Sequence, residues 1–242
     1  MHETLVLDTT VSYRDVERTG VLSLPAAFKL LQEAAIRHAD QFDVGARAMR
    51  TRGESWILSR ILVRMERYPA YEEPLRVETW STGIRSFKGF REFRLHDRQG
   101  ATILSGSSLW LYVSLRTKAI ARVPRELADA FPVGPGAVFC PDLEQLAFAA
   151  PAANASTGTA VTLRYADVDG NGHLNNTVYV ECVQTALARA GLPAQPRQLR
   201  LKYQKEIPAT ADNVTVRLEP RTDATTFSIE HAGSLCAVGE VA

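Results

Sequence analysis

The stretch Arg164–Tyr179 reads R-Y-A-D-V-D-G-N-G-H-L-N-N-T-V-Y and places two Asp, three Asn and one His within sixteen residues. The run that leads into it, Thr159–Tyr165, alternates apolar and polar residues as a strand does. From Tyr179 onward, apolar residues recur at the spacing of a buried helix face. Asn175 and Asn176 are residue types preferred at a helix N-cap. The stretch is therefore predicted to be a polar turn that leads from a strand into a helix.

Two structural interpretations compete with a functional one for this turn. Asp167, Asp169, Asn171 and Gly172 match positions 1, 3, 5 and 6 of a calcium-binding EF-hand loop. Position 12 would be Val178, which has no carboxylate, so we do not expect a metal. Asp, Asn and Gly also form turns that have no further role. Turn chemistry alone supports a plain turn and a functional site equally.

Composition limits the classes of function. The net charge is +1 and charged residues make up 23% of the chain, so no global field favours nucleic acid or a membrane surface as a partner. The sequence has no apolar run of about 18 residues and no signal-peptide pattern at its start, so no membrane span is expected. Cys140, Cys182 and Cys236 lack metal-ligand spacing. We expect reduced thiols, a cytoplasmic protein and no cofactor.

The same order of elements occurs twice along the chain. The first series begins with a strand at Leu5–Tyr13 and a helix that Ser23 caps and that runs to about His38. Strands are then predicted at Trp56–Arg67, Leu75–Thr82, Phe87–His96 and Thr102–Leu115. The second series comprises a strand at 159–165, a helix at 176–190 and strands near 197–206, 212–219, 224–231 and 234–241. The pattern predicts an α+β fold.

A Pro-, Ala- and Gly-rich segment separates the two series and predicts a crossover with one short helix and a loop at Asn154–Gly158. We therefore expect an N-terminal unit at 1–123, a linker at 124–157 and a C-terminal unit at 158–242.

A gapless shift of 152 residues aligns the two units around the polar turn. Identical residues meet in the pairs Tyr13–Tyr165, Asp15–Asp167, Val16–Val168, Gly20–Gly172, Leu22–Leu174 and Gln32–Gln184. Under this shift Glu17, Thr19, Val21 and Ser23 meet Asp169, Asn171, His173 and Asn175. After the helix, an offset of 139 aligns Pro69 with Pro208. The first unit lacks the amide and the imidazole, so we expect chemistry only in the second unit.

The pattern D-x-D-x-N-x-H-x-N-N-x-x-Y at Asp167–Tyr179 resembles the active-site segment of the acyl-acyl-carrier-protein thioesterases. S-L-P-A-A-F-K-L-L-Q-E-A-A at Ser23–Ala35 and V-E-T-W at Val77–Trp80 resemble their bacterial members, so the resemblance covers nearly the whole chain. It implies two tandem hot-dog units, each an antiparallel sheet wrapped around a helix. It also implies hydrolysis of fatty acyl-carrier-protein thioesters, which releases free fatty acid and ends chain elongation. An acyl-CoA thioesterase of the same fold and a non-catalytic acyl-binding module remain alternatives.

The resemblance also implies catalytic residues. They are Asp169, Asn171, His173 and Glu206, the last within L-R-L-K-Y-Q-K-E-I-P at Leu199–Pro208. Asp169 or Glu206, with His173, would activate water or attack directly, and Asn171 would orient the water or the carbonyl. Plant members have Cys directly after the Glu, whereas this chain has Ile207, which removes a Cys-His mechanism at that position. Backbone N–H groups near Asn175, Asn176 and Thr177 would polarise the thioester carbonyl.

The two binding surfaces are predicted separately. The first unit is implied to line the acyl-chain pocket, for which the candidates are Leu31, Ala34, Ala35 and Trp56. Acyl carrier protein is acidic, so its binding requires a local basic patch. The basic candidates are Arg85, Lys88, Arg91 and Arg94 in the first unit and Arg197, Arg200, Lys202 and Lys205 near Glu206. A homodimer is an open alternative to a monomer.

Overall fold

Eleven strands form one antiparallel sheet in the computed structural model, which describes residues 3–152 and 158–242. The strands are β1 (Thr4–Thr10), β2 (Glu54–Met65), β3 (Pro74–Arg85), β4 (Lys88–His96), β5 (Thr102–Ser114), β6 (Ala119–Ile120), β7 (Thr159–Thr162), β8 (Gln198–Tyr203), β9 (Asn213–Pro220), β10 (Thr225–His231) and β11 (Ser234–Val241). The helices are α1 (Leu24–Asp40), α2 (Ala46–Thr51), α3 (Arg125–Ala130) and α4 (Asn176–Arg189). Most of the loop predicted at Asn154–Gly158 lies outside the described residues.

The sheet has the same strand order on either side of its centre. Its order is β1-β3-β4-β5-β2-β8-β11-β10-β9-β7, and β6 pairs with β5. The two halves meet where β2 pairs with β8, with Val63 opposite Leu199. The helices α1 and α4 contact each other, and Lys29 Nζ lies 2.7 Å from a carboxylate oxygen of Glu181. One hydrophobic core includes both helices.

Local sequence explains where the two long helices begin. The Ser23 hydroxyl accepts a hydrogen bond from the N–H of Ala26 at 3.3 Å, and Pro25 occupies the first turn. Asn175 Oδ1 accepts the N–H of Thr177 at 2.9 Å at the start of α4. Gly191 follows α4 with a φ of +71°, the left-handed conformation that glycine adopts readily. Both predicted helices are confirmed, and α1 ends two residues beyond the predicted His38.

Several predicted bounds differ from the structure. The first predicted strand ends at Thr10 because the chain turns into a 3₁₀ helix at Tyr13–Asp15, and Tyr165–Asp167 repeats this in the second unit. The strand predicted near 197–206 ends at Tyr203. The N–H groups of Gln204 and Lys205 both bond to Cys236 O, which ends the regular ladder before Glu206. No helix within the described ranges is both long and apolar enough to cross a membrane.

The two polar turns, 15–23 and 167–175, have nearly the same backbone. In the first turn Glu17 N donates to Val21 O at 2.9 Å, and in the second Asp169 N donates to His173 O at 2.8 Å. The glycines at matching positions, Gly20 and Gly172, have φ values of +80° and +82°. The duplication inferred from the shift of 152 is thus visible in main-chain hydrogen bonds.

Each turn forms main-chain hydrogen bonds with a segment that follows the helix, and these bonds show how the two units align there. Leu22 N donates to Pro69 O, and Leu174 N donates to Ile207 O, both at 2.8 Å. Pro69 therefore matches Ile207, an offset of 138, and the predicted match with Pro208 is wrong by one residue here. The corrected offset places Tyr68 where the second unit has Glu206.

Candidate active site

The Asp169 side chain accepts hydrogen bonds from the backbone of the polar turn at 167–175. Its Oδ1 accepts the N–H of Asn171 at 2.8 Å and the N–H of His173 at 3.4 Å. The side-chain amide of Asn171 lies 3.5 Å from the other oxygen, Oδ2. The Asp169 carboxylate therefore contacts both of the other predicted site residues of this turn, Asn171 and His173.

His173 pairs with Glu206 across the main-chain bridge between His173 and Pro208. Nε2 of the imidazole lies 3.2 Å from Oε2 of Glu206, and the two side chains are 38% and 50% exposed. When Nε2–H donates to the carboxylate, a neutral ring has Nδ1 as its acceptor nitrogen. Both groups can therefore exchange protons with a reactant or with water.

Two tyrosines, of which Tyr179 is buried and Tyr203 partly buried, fix the helix start relative to the segment that carries Glu206. Tyr203 OH donates to Asn176 O at 2.9 Å, and Tyr179 OH donates to Lys205 O at 3.5 Å. Their rings pack edge to face with centroids 5.1 Å apart. Burial raises the pKa of both hydroxyls, which keeps them as hydrogen-bond donors. Sequence reasoning did not identify this pair.

The helix N-terminus offers fewer free donors than predicted. Asn175 N donates to Asp167 O at 2.9 Å, and Thr177 N is used by the Asn175 side chain. Asn176 N makes no hydrogen bond within residues 3–152 and 158–242. Asn176 is therefore the candidate donor of the three at this helix start.

The calcium-loop interpretation conflicts with the contacts of Asp167. Its carboxylate is 95% buried, and Arg164 Nη2 lies 2.6 Å from its Oδ1. Arg164 N donates to Oδ2 at 2.8 Å. Val178, the twelfth loop position, is buried in α4. Within the described part of the chain, no three His, Cys, Asp or Glu side chains cluster as metal ligands would.

A cavity of about 180 Å³ connects this turn with the interior of the first unit. Asp169, Asn171 and Asn176 line it from the second unit. Its walls in the first unit come from one flank of α1, from α2, and from strands β2 to β5. The α1 flank consists of Gln32, Ala35, Ile36 and Ala39. His173 and Glu206 are not among the lining residues, so Asp169 is the carboxylate of the predicted catalytic set that reaches the cavity, which Glu54 also lines from β2.

Two of the four predicted pocket residues line this cavity. Ala35 and Trp56 do so, and the ring of Trp56 packs close to Gly89. Leu31 and Ala34 are 1% and 0% exposed and belong to the core beneath α1. They face the sheet because they lie about a quarter turn around the helix from the cavity flank.

Arg50 crosses from the first unit to the polar turn of the second. Its Nη2 lies 2.6 Å from Gly170 O and 2.7 Å from Asn171 Oδ1. A guanidinium can only donate, so the amide oxygen of Asn171 must face Arg50 and its NH₂ group must face Asp169. Sequence reasoning missed Arg50, whose short helix α2 was not predicted.

Arg91 lies inside the cavity wall and is only 7% exposed. Its Nη1 is 3.0 Å from His38 Nδ1 and 3.0 Å from Thr79 Oγ1, and its guanidinium lies over the ring of Phe131. Burial lowers the pKa of Arg91 to about 9, and the group remains charged at neutral pH. The interpretation of Arg91 as a carrier-protein contact is wrong, because a buried side chain cannot reach a partner.

Family models provide the comparison that decides the relationship. The N-terminal domain of acyl-ACP thioesterases matches residues 7–131, and the C-terminal domain matches residues 151–240. The chain belongs to the acyl-ACP thioesterase family.

Known members of this family are similar along most of the chain. A dodecanoyl-[acyl-carrier-protein] hydrolase of Cinnamomum camphora is 29% identical over 66% of this chain and 45% of its own length. An oleoyl-acyl carrier protein thioesterase of Arabidopsis thaliana is 27% identical over 73% of this chain and 52% of its own. The chain thus spans about half the length of these relatives.

Solved structures from the family share the fold. An acyl-ACP thioesterase from Bacteroides thetaiotaomicron has a TM-score of 0.84 at 19% identity, covering 99% of this chain and 97% of that one. The 12:0-ACP thioesterase from Umbellularia californica has a TM-score of 0.82 at 19% identity, with 100% and 97% covered. The predicted α+β fold of two tandem hot-dog units is confirmed.

The basic residues that were predicted as carrier-protein contacts differ in exposure. Arg85, Arg197 and Lys205 are exposed. Lys88 is paired with Glu144, and Arg200 Nη2 lies 2.9 Å from Glu240 Oε2. Lys202 is half-buried, and Arg94 donates to Ala137 O at 2.9 Å. The exposed three therefore have the best access to a partner.

None of the cysteines of this family member is placed as a nucleophile. All three lie within the described residues and outside disulfides. Burial raises the pKa of Cys182 to about 12, and it also raises the pKa of Cys140 and Cys236. At neutral pH these thiols are protonated, and only the thiolate is reactive.

Proposed function

We propose that the chain hydrolyses the thioester of fatty acyl-acyl carrier protein, releases free fatty acid and thereby ends chain elongation. The observation that carries the proposal is the cavity, which runs from the interior of the first unit to Asp169 and Asn171. An alkyl chain in this cavity brings its thioester to the only turn of the pair that has a carboxylate, an amide and an imidazole. The names of the relatives support the same activity.

Asp169 is assigned to the thioester carbon. It lines the cavity, and among the residues that the structure describes its Oδ2 accepts only the long contact from the Asn171 amide. The carboxylate activates a water molecule there or attacks the carbonyl itself. In either route a new C–O bond forms, the C–S bond breaks, and the sulfur leaves as a thiolate that needs little acid assistance. When Asp169 itself attacks, the product is a mixed anhydride, which water then hydrolyses to release the fatty acid and restore the carboxylate.

His173 and Glu206 are assigned to proton transfer. Glu206 holds the imidazole through Nε2, which leaves Nδ1 to take a proton from water and return one to the thiolate. The N–H of Asn176 and the second N–H of the Asn171 amide, whose first N–H points to Asp169, are assigned to the developing oxyanion. Such donors stabilise the transition state most when they are fixed before the reaction begins.

The two units have separate roles in this proposal. Residues 1–123 supply the acyl-chain pocket, residues 124–157 link the units, and residues 158–242 supply the catalytic turn. The exposed Arg85, Arg197 and Lys205 contribute to docking of the acidic carrier protein. A cytoplasmic location is part of the proposal and is supported by three cysteines outside disulfides.

The test compares one acyl group on two carriers. Purified protein is supplied with dodecanoyl-acyl carrier protein or dodecanoyl-CoA, and released fatty acid is measured by liquid chromatography. We expect kcat/KM to be at least about ten-fold higher on the carrier protein. The reason is that exposed basic residues around the site speed association with a large acidic partner. Charge reversal at Arg197 and Lys205 should lower only the carrier-protein rate.

Two results would replace this proposal. A rate that is equal or higher on CoA indicates an acyl-CoA thioesterase of the same fold. Binding of acyl carrier protein without release of fatty acid indicates a non-catalytic acyl-binding module.

A further inference from the structure

The cavity extends over successive strands of the first unit's sheet, in the direction away from the catalytic turn. Its lining residues include Trp56 on β2, Trp110 on β5, Arg91 on β4 and Ser81 on β3. Since β2 is the strand that pairs with the second unit, β4 lies two strands farther from it. At the usual strand spacing this is roughly 10 Å. Arg91 therefore lies toward the end of the cavity that is remote from Asp169 and Asn171.

A charged group at this end is out of place in a pocket for a plain alkyl chain. Arg91 makes no ion pair within residues 3–152 and 158–242, and both of its hydrogen bonds there use Nη1. Nε and Nη2 donate to no acceptor in the same residues. A guanidinium has five N–H donors and no acceptor, and burying it without partners destabilises the site.

We propose that the cavity accepts an acyl chain that bears an acceptor oxygen, a hydroxyl or carboxylate, at the end remote from the thioester, and that Arg91 binds this oxygen. The inference rests on the proposed function, because it takes the chain to enter from the catalytic turn. An oxygen at this position completes the hydrogen bonding of Arg91, whereas a methyl terminus leaves it unsatisfied. Ser81, which also lines this end, adds a second polar contact.

The test uses matched acyl chains on acyl carrier protein. For each of a series of even chain lengths, kcat/KM is measured for the plain, the ω-hydroxy and the ω-carboxy acyl group. Because hydrogen bonds to charged groups are stronger than neutral ones, we expect the preferred oxygenated chain to exceed its plain partner by about ten- to hundred-fold. The preference should peak at one length, at which the oxygen reaches Arg91.

Variants separate Arg91 from the rest of the pocket. Arg91→Met should remove the oxygen preference and raise the rate on plain chains, while Arg91→Lys should retain part of it. Arg94→Met is the matched control, since Arg94 is on the same strand, lies outside the cavity lining and should leave the ratio unchanged. Thermal unfolding of each variant checks the fold.

A second measurement does not depend on hydrolysis. Binding of non-hydrolysable acyl-pantetheine amides, with and without the ω-oxygen, is measured by titration calorimetry on the wild-type protein. We expect a dissociation constant about ten-fold lower for the oxygenated amide of the preferred length. If the protein hydrolyses none of the thioesters, the proposed function is wrong. The ratio of the dissociation constants of the plain and the oxygenated amide still tests whether Arg91 binds the oxygen.

The inference is overturned if plain chains are equal to or better than oxygenated ones at every length in the wild-type protein. Arg91 then serves only to fix His38 and Thr79. An oxygen preference that Arg91→Met leaves intact also overturns it, because another group must then bind the oxygen.

Discussion

The turns at 15–23 and 167–175 have the same main-chain bonds but different side chains. Glu17 stands where the second unit has Asp169, and Val21 stands where it has His173. Glu17 contacts the side chains of Gln184 and Gln195, with Gln184 Nε2 at 3.2 Å, while Asp169 lines the cavity. The two turns share an Asp, a Gly and their main-chain bonds, so these are enough to form the backbone of the turn. The chemistry resides in the side chains that differ.

The largest effect should come from removing the groups that only the second turn has. Asp169→Asn or His173→Ala should lower kcat by about 10²- to 10⁴-fold, the range typical of acid–base groups. Glu17→Gln and Val21→Ala, the matched changes in the first turn, should leave kcat within about two-fold, since neither lies at the reacting carbon. Steady-state kinetics on acyl-carrier-protein thioester measures all four.

Installing the imidazole in the first turn should restore nothing. Val21→His lacks the amide and carboxylate partners, because Thr19 and Tyr68 occupy those positions. A near-wild-type kcat for His173→Ala would show that the site is assigned to the wrong turn.

The second-largest loss of kcat should come from removing the side-chain contact that the second turn receives from the first unit. Arg50→Ala should lower kcat by about ten-fold with little change in KM, because the Asn171 amide loses the donor that orients it. Arg50→Lys should recover part of the loss. Gln195→Ala removes the contact to Glu17 in the first turn and should not change kcat.

A purely structural role for Arg50 predicts a different pattern. The Ala variant would then lose thermal stability without a specific loss of kcat. Arg47→Ala, on the same helix and exposed, controls for the effect of removing any arginine from α2.

A smaller effect should distinguish two faces of α1. Ala35→Phe should shift the preferred acyl chain to shorter lengths, since each excluded CH₂ is worth about 0.8 kcal/mol, or roughly four-fold in kcat/KM. Ala34→Phe should instead destabilise the protein by about 1–3 kcal/mol through overpacking, because Ala34 faces the core. An acyl-length series and thermal melts of both variants provide the measurements. An unchanged length profile for a folded Ala35→Phe protein counts against this flank of α1 as a pocket wall.

The smallest effect is expected at the thiols. Treatment with iodoacetamide at neutral pH should leave kcat within about two-fold, because burial raises the pKa of all three thiols and only a thiolate reacts. Cys182→Ala should likewise retain activity if it folds. Rapid inactivation that saturating acyl carrier protein prevents would point to a thiol in the site.

The elements that depend on local pattern could be predicted from the sequence. The caps Ser23 and Asn175 and the apolar faces behind them place α1 and α4 almost to the residue. The repeat also indicates which turn has the functional side chains, because aligned positions can be compared one by one. His173 and Glu206 meet as expected from the resemblance, although nothing in their local sequence brings them together.

Long-range contacts could not be predicted in this way. Arg50 reaches Asn171 across 121 residues from a helix of six residues, which is too short to show an apolar period. The sequence does contain a signal that Arg91 is buried. It shares an alternating strand face with the buried Phe93 and Leu95, so period two places it inside. The alternation of the strand, and not the charge of the residue, predicts the burial of Arg91.

Because β2 and β8 pair within one chain, the site can form at any protein concentration, and the two halves can change in sequence independently. Between two separate chains this strand pairing would form only above a certain protein concentration. The covalent connection makes the pairing intramolecular. The completeness of the site should then not depend on how dilute the protein is. Separate identical chains would also carry every substitution twice, on both sides of their axis. In the fused pair, Val21 can replace a histidine in one half while His173 persists in the other.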